Sequence, residues 1–118
     1  SRGLGDVYKR QVKAAKAEAN IARYQLADAK EKVELQVSQA SYKVNEAAKR
    51  LSMAEKNLEK ADENLRYAKL GFMEGVIPTS NVLEAQTAWL SAQSDKIDAQ
   101  IDVKLTEVYL RKSMGVLK

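Results

Sequence analysis

Residues 69–86 read KLGFMEGVIPTSNVLEAQ, and they hold the chain's only proline together with two of its five glycines. On either side the sequence is built mainly from Ala, Leu, Lys, Glu and Gln, the residues that favour helix most. A chain so committed to helix that breaks once and resumes at once is a chain that turns. Gly75 suits the left-handed residue just past a helix end. Pro78 lacks an amide hydrogen and pushes Ile77 out of the helical region. Thr79, Ser80 or Asn81 can cap the helix that follows, and Asn81 with Glu84 has capping-box spacing. Glu84 is also expected in the first turn, where negative charge suits the helix dipole. These features predict one helix over about 12–74, a tip over about 75–79 and a second helix over about 80–115.

A seven-residue ruler runs through both arms. Upstream it marks Val37, Val44, Leu51, Leu58, Leu65 and Phe72 as a positions, with Ala40, Ala47, Ala54, Ala61 and Ala68 as d positions. Carried backwards, the d series continues through Val33, Leu26, Ala19 and Val12. Downstream, a falls on Val82, Trp89, Lys96, Val103, Leu110 and Leu117, and d on Ala85, Ala92, Ala99, Thr106 and Ser113. A strict heptad sustained this long implies a left-handed coiled coil. Both arms place large residues at a and small ones at d, so an antiparallel pair sets large against small. Pairing Leu65 with Ala92, Ala68 with Trp89, Leu51 with Thr106 and Ala47 with Leu110 puts the turn near Pro78. The predicted fold is therefore all-α, a long antiparallel two-helix coiled-coil hairpin. Its seam is Val44, Leu51, Leu58, Leu65, Phe72, Val82, Trp89, Val103 and Leu110. Lys96 is the exception at a, and its stem can lie along the seam with the ammonium in water.

The second arm carries a further stripe. Leu83, Leu90, Ile97, Ile101, Leu105 and Val108 lie well over 100° from the a/d seam at about 100° per residue. One partner helix cannot cover both faces, so this stripe is expected to need another helix. The first arm has a partial counterpart in Tyr42, Met53, Tyr67 and Leu70. Its polar side offers Glu46–Arg50 and Asp62–Arg66 at i,i+4, worth a few tenths of a kcal/mol each. The tip sequence GVIP is apolar where a solvent loop would be polar. Either something docks on it, or it packs on its own helices.

Composition narrows the chemistry. The 118 residues include no Cys and no His, which removes thiolate and imidazole metal sites, Ser–His and Cys nucleophiles, and disulfides. No metal, cofactor or catalytic residue is expected: the carboxylates lie at solvated helix positions, and no phosphate-binding glycine loop appears. Charged residues make up 31% and mean hydropathy is −0.46, a balance suited to helices that bury a narrow stripe. No apolar run approaches the ~18 residues of a membrane-spanning helix. The net charge of +4 is interleaved with acidic residues along both arms, so it describes solvated faces and no nucleic-acid partner.

The first eleven residues, SRGLGDVYKRQ, stand apart, with two glycines and no heptad. They resemble the translation of an adaptor used in building sequencing libraries, most specifically in DVYKRQ. On that reading residues 1–11 are non-native and the chain is part of a longer protein; the alternative is a genuine disordered lead-in. Without them the net charge falls from +4 to +2.

The stretch 67–115, YAKLGFMEGVIPTSNVLEAQTAWLSAQSDKIDAQIDVKLTEVYLRKSMG, resembles the helical hairpin of TolC-type outer-membrane efflux proteins. That family shows an aromatic residue, a Gly, a short tip, a D-V-L-x-A-Q-like helix start and a Y-x-x-L-x-x-x-x-G-like close. Here the counterparts are Phe72, Gly75, Asn81 to Gln86, and YLRKSMG at 109–115. The resemblance covers about residues 12–118. It implies part of a trimeric periplasmic α-barrel, with no catalysis, in a channel held in the outer membrane of a Gram-negative bacterium by a β-barrel outside this sequence. It also implies that the tip, Gly75, Val76, Ile77 and Pro78, meets a periplasmic adaptor protein and through it an inner-membrane pump. Asn81 and Glu84 match positions that form an acidic pore constriction in the family; Glu84 keeps the acid and Asn81 does not. Family members can carry Tyr at Phe72 and a basic residue at Ile77. This sequence has neither, which implies a tip held by packing rather than a polar latch. Two other assignments fit less of the sequence. An adaptor-type α-hairpin would match Arg66 and Leu70 but not Ile77, and a generic coiled coil leaves the Gly75–Pro78–Asn81 grouping without a reason.

Overall fold

The computed structural model describes residues 2–115, and Leu117, the last a position of the ruler, lies outside them. It holds two helices, α1 (Arg2–Met73) and α2 (Thr79–Gly115), of 72 and 37 residues. At 1.5 Å per residue α1 accounts for the whole length of the molecule, which measures 110 × 21 × 13 Å. Two of those dimensions are one helix thick and two helices wide. The described residues form no third layer, and the fold is the antiparallel hairpin that the heptads predict.

The seam is made by the small residues. Ala40, Ala47, Ala54, Ala61 and Ala68 are the buried apolar residues among those described, with Ala40 and Ala47 at 0% exposure. The large a residues around them, Val37, Val44, Leu51, Leu58 and Leu65, are half-buried, as are Val82, Trp89, Val103 and Leu110 opposite. Lys96 is half-buried in the same row. The polar d residues enter the seam by bonding within their own helix. Ser113 Oγ donates to Tyr109 O at 3.0 Å, and Thr106 Oγ1 donates to Asp102 O and Val103 O at 2.9 and 3.0 Å. A hydroxyl so occupied carries no unmet donor into the interface.

Four expectations about the extent of α1 and the pairing of the two helices need correction. The first concerns the start of α1, which begins at Arg2 rather than near residue 12. Once a helix is nucleated each further residue adds one hydrogen bond, and no proline or cap interrupts the run. The second concerns register. Trp89 reaches Asp62, Arg50 reaches Asp102, and Lys43 sits 5.8 Å from the Tyr109 ring centre. Each contact on α1 lies nearly a heptad farther from the turn than the pairing of Trp89 with Ala68 or Leu110 with Ala47 would require. The turn is centred nearer Val76 than Pro78, because α1 already ends at Met73. Heptads define a seam only modulo seven; the turn selects which multiple is used.

The third correction is Phe72, which the ruler places in the seam. It is 47% exposed, and Gly71 beside it is half-buried instead. The fourth is the pair of ion pairs expected within α1. Arg50 is taken by Asp102 at 2.7 Å, Asp62 accepts from Trp89 Nε1 at 2.6 Å, and Glu46 turns to Lys49 at 3.2 Å. Arg50 and Asp62 find partners across the seam, and Glu46 finds one along its own helix at i,i+3 rather than i,i+4.

The molecule keeps a large surface. It exposes 9738 Å², whereas a compact monomer of 13.1 kDa would expose about 6,400 Å². From Lys13 to Lys32 every residue of α1 is exposed, since α2 ends before it can cover them.

Candidate functional site at the tip and on the uncovered faces

The apex is built by a Schellman closure. Gly75 takes φ +77°, the left-handed conformation that its lack of a side chain allows. The Val76 amide donates to Gly71 O at 2.9 Å and the Gly75 amide to Phe72 O at 3.0 Å. These are the two bonds that define the motif. A third donor, the Ile77 amide, also reaches Gly71 O at 3.1 Å. The end of α1 is thus fastened to the two residues after its glycine.

Side chains at the apex divide into two groups. Val76 is 76% exposed and Met73 81%, whereas Ile77 is half-buried. Ile77 lies against Gly71 so closely that a Cβ on that glycine would stand 2.6 Å from Ile77 Cγ1 and 3.2 Å from its Cβ. Gly71 is the residue that sequence reasoning missed. Its signal was present: a glycine inside a helix costs about 1 kcal/mol against alanine, so one in the last turn needs a neighbour that excludes a side chain. Both readings of the apolar tip hold in part, since Ile77 packs on its own helix and Val76 does not.

Asn81 and Glu84 are both exposed on the first turns of α2. Because α2 begins at Thr79, Asn81 lies inside the helix, where its amide donates to Pro78 O at 3.1 Å. The Asn81–Glu84 capping box does not form. Among the described residues no side chain of Thr79, Ser80 or Asn81 caps the helix, and the first turn of α2 has no acidic residue. Pro78 removes one of the orphan donors that a cap would otherwise serve.

The second stripe of α2 lies open along its full length. Leu83, Leu90, Ile97, Ile101, Leu105 and Val108 are between 46% and 62% exposed. On α1, Tyr42, Met53, Tyr67 and Leu70 are between 53% and 66% exposed. Near the tip, Tyr67, Leu70 and Met73 line a shallow groove edged by Arg66 and Lys69. Contiguous apolar surface on this scale marks a face meant to be covered. No helix of the described residues is long and apolar enough to cross a membrane, and no group of three or more acidic residues among them is arranged to hold a metal.

Geometry and surface together define a class: an extended all-α hairpin whose two helices satisfy one seam and leave apolar outer faces open. The chain belongs to the outer membrane efflux protein family, whose pattern matches residues 4–116. That span takes in most of the first eleven residues as well as both helices. Members of this family are outer-membrane channel components and not enzymes. No curated protein and no solved structure matches the chain.

Proposed function

We propose that this hairpin is a stave in the periplasmic tunnel wall of a trimeric efflux channel, with its tip at the periplasmic entrance. The carrying observation is the open stripe from Leu83 to Val108, a helix-long apolar face that the hairpin itself cannot cover. A wall of parallel and antiparallel staves covers such a face on both sides. The tip segment from Gly75 to Pro78 is where a periplasmic adaptor docks, and through the adaptor an inner-membrane pump is reached. Asn81 and Glu84 line the entrance, with Glu84 supplying its negative charge. The β-barrel that would anchor the wall in the outer membrane is not formed by these two helices.

The test is sedimentation of the 118-residue chain beside a Leu90→Glu/Ile97→Glu double variant. Both positions are exposed in the hairpin, so the variant should keep its helical circular dichroism. The parent chain should associate through the stripe and the variant should sediment as a monomer. A parent chain that is fully helical yet strictly monomeric at tens of micromolar would overturn the wall assignment.

A further inference from the structure

The division of labour at the apex carries a conclusion of its own. Three amide donors converge on two carbonyls of the last α1 turn, and two of them end on Gly71 O. The same residue offers no side chain, and Ile77 occupies the space a Cβ would need, with Cγ1 2.6 Å and Cβ 3.2 Å from that point. We infer that Gly71 is a socket and Ile77 its plug, a knob-and-notch device that fixes the tip and leaves Val76, not Ile77, as the aliphatic contact presented to a partner.

The chemistry is steric and directional. A branched side chain seated on a bare stretch of helix backbone cannot rotate outward without losing that contact, and Ile has few rotamers to choose from. With Ile77 held, the chain direction at Val76 and Pro78 is set before anything docks. A partner then meets an apex that is already ordered, which lowers the entropic cost of association. Ile77 and Gly71 are positioning residues in this scheme; Val76, flanked by Met73, is the contact. The socket stands apart from the tunnel-wall reading, and only its consequence for the partner rests on that reading.

A four-way comparison of thermal stability tests the socket. Gly71→Ala should lower the melting temperature while Ile77 is present, because the added methyl and the isoleucine claim the same space. In an Ile77→Ala background the same substitution should raise it, since alanine is the better helix former and the remaining contact needs to give by only a few tenths of an ångström. The sign reversal is the signature. Gly71→Ala that is neutral or stabilising with Ile77 in place would overturn the socket.

A second readout does not depend on melting. The chain has no cysteine, so Val76→Cys and Ile77→Cys each introduce a single thiol. Under native conditions the thiol at 77 should react with a maleimide about tenfold more slowly than the thiol at 76, because reaction tracks exposure. It should become as fast as the other when Gly71→Ala is added. Equal rates in the parent background would refute the plug, even if sedimentation upheld the stripe.

Discussion

One helix, α1, carries the same apolar series under two conditions. From Val33 to Ala68 the d positions face α2, and the alanines among them are at most 9% exposed. From Lys13 to Lys32 the series continues through Ala19 and Leu26 with nothing opposite, and Leu26 is 72% exposed. The local sequence is equally helical in both parts, and the helix does not break between them. Periodicity therefore reports that a face requires a partner. It does not report whether the partner is in the same chain. The two faces of α2 repeat the lesson at right angles to it, one seated in the seam and the other open.

The largest effect should come from charging a covered d position. Ala47→Glu places a carboxylate at a site with 0% exposure, where the basic residues at helical spacing, Lys43 and Arg50, are already engaged by Tyr109 and Asp102. The expected cost is about 3 kcal/mol or more, enough to open the hairpin and lower its cooperative melting, read by circular dichroism. Ala19→Glu makes the same change at the same heptad position beyond the reach of α2. Its cost should stay within about 0.5 kcal/mol. Equal losses from the two substitutions would break the comparison, because they would mean that the overhang is covered in solution.

Residue types alone were enough to place the hairpin, the face that forms its seam short of Phe72, and its open stripe. Alternation of Ala with Leu or Val at three- and four-residue steps leaves one geometry for two helices. The turn was readable from Gly75 and Pro78. What could not be read was anything that depends on side-chain reach. The register slipped by nearly a heptad because Leu65 meets an alanine equally well at either of two steps. Phe72 followed the ruler yet falls outside the seam, because α1 closes at Met73 and the chain turns before α2 can reach it. Gly71 was overlooked because its role appears only when Ile77 folds back six residues later. Nor could the Asp62 and Arg50 partners be seen along α1, since they come from α2. The apolar tip could be singled out from Val76 and Ile77 themselves, whereas Asn81 and Glu84 were marked by resemblance; Val76, Pro78, Asn81 and Glu84 are all exposed.

A sharper probe of the covered half is Trp89, the only tryptophan and the largest residue in the seam. Its indole nitrogen donates to Asp62 at 2.6 Å, a bond to a charged acceptor on an exposed rim. Trp89→Phe keeps a ring in the groove between Leu65 and Leu90 but removes the donor. The loss should be about 1 kcal/mol, a drop of roughly 4 °C in melting temperature. Asp62→Ala should cost a similar amount, and the double variant little more than either single one. Fluorescence of the lone tryptophan gives an independent reading, because Asp62→Ala should shift its emission while distant substitutions on the overhang leave it alone. Additive losses would show that the two side chains do not share a bond, and would reopen the register.

The smallest effect belongs to Arg50 and Asp102. Their nitrogen and oxygen approach to 2.7 Å, but the side chains are 65% and 36% exposed, so water and salt weaken the attraction. A double-mutant cycle with Arg50→Met and Asp102→Asn should give a coupling below about 1 kcal/mol, falling toward zero at 1 M salt. Its value lies in the choice of partner. Along α1, Glu46 stands at the helical spacing from Arg50, and the sequence alone pairs them. In the folded hairpin Glu46 is engaged by Lys49, and Asp102 Oδ2 has no hydrogen-bond partner, only the Arg50 charge. Coupling of Arg50 to Asp102 but not to Glu46 fixes the step at which the two helices meet. Coupling to Glu46 alone would return the hairpin to the register in which Leu110 faces Ala47, and the apex would then have to rotate about Pro78 rather than Val76.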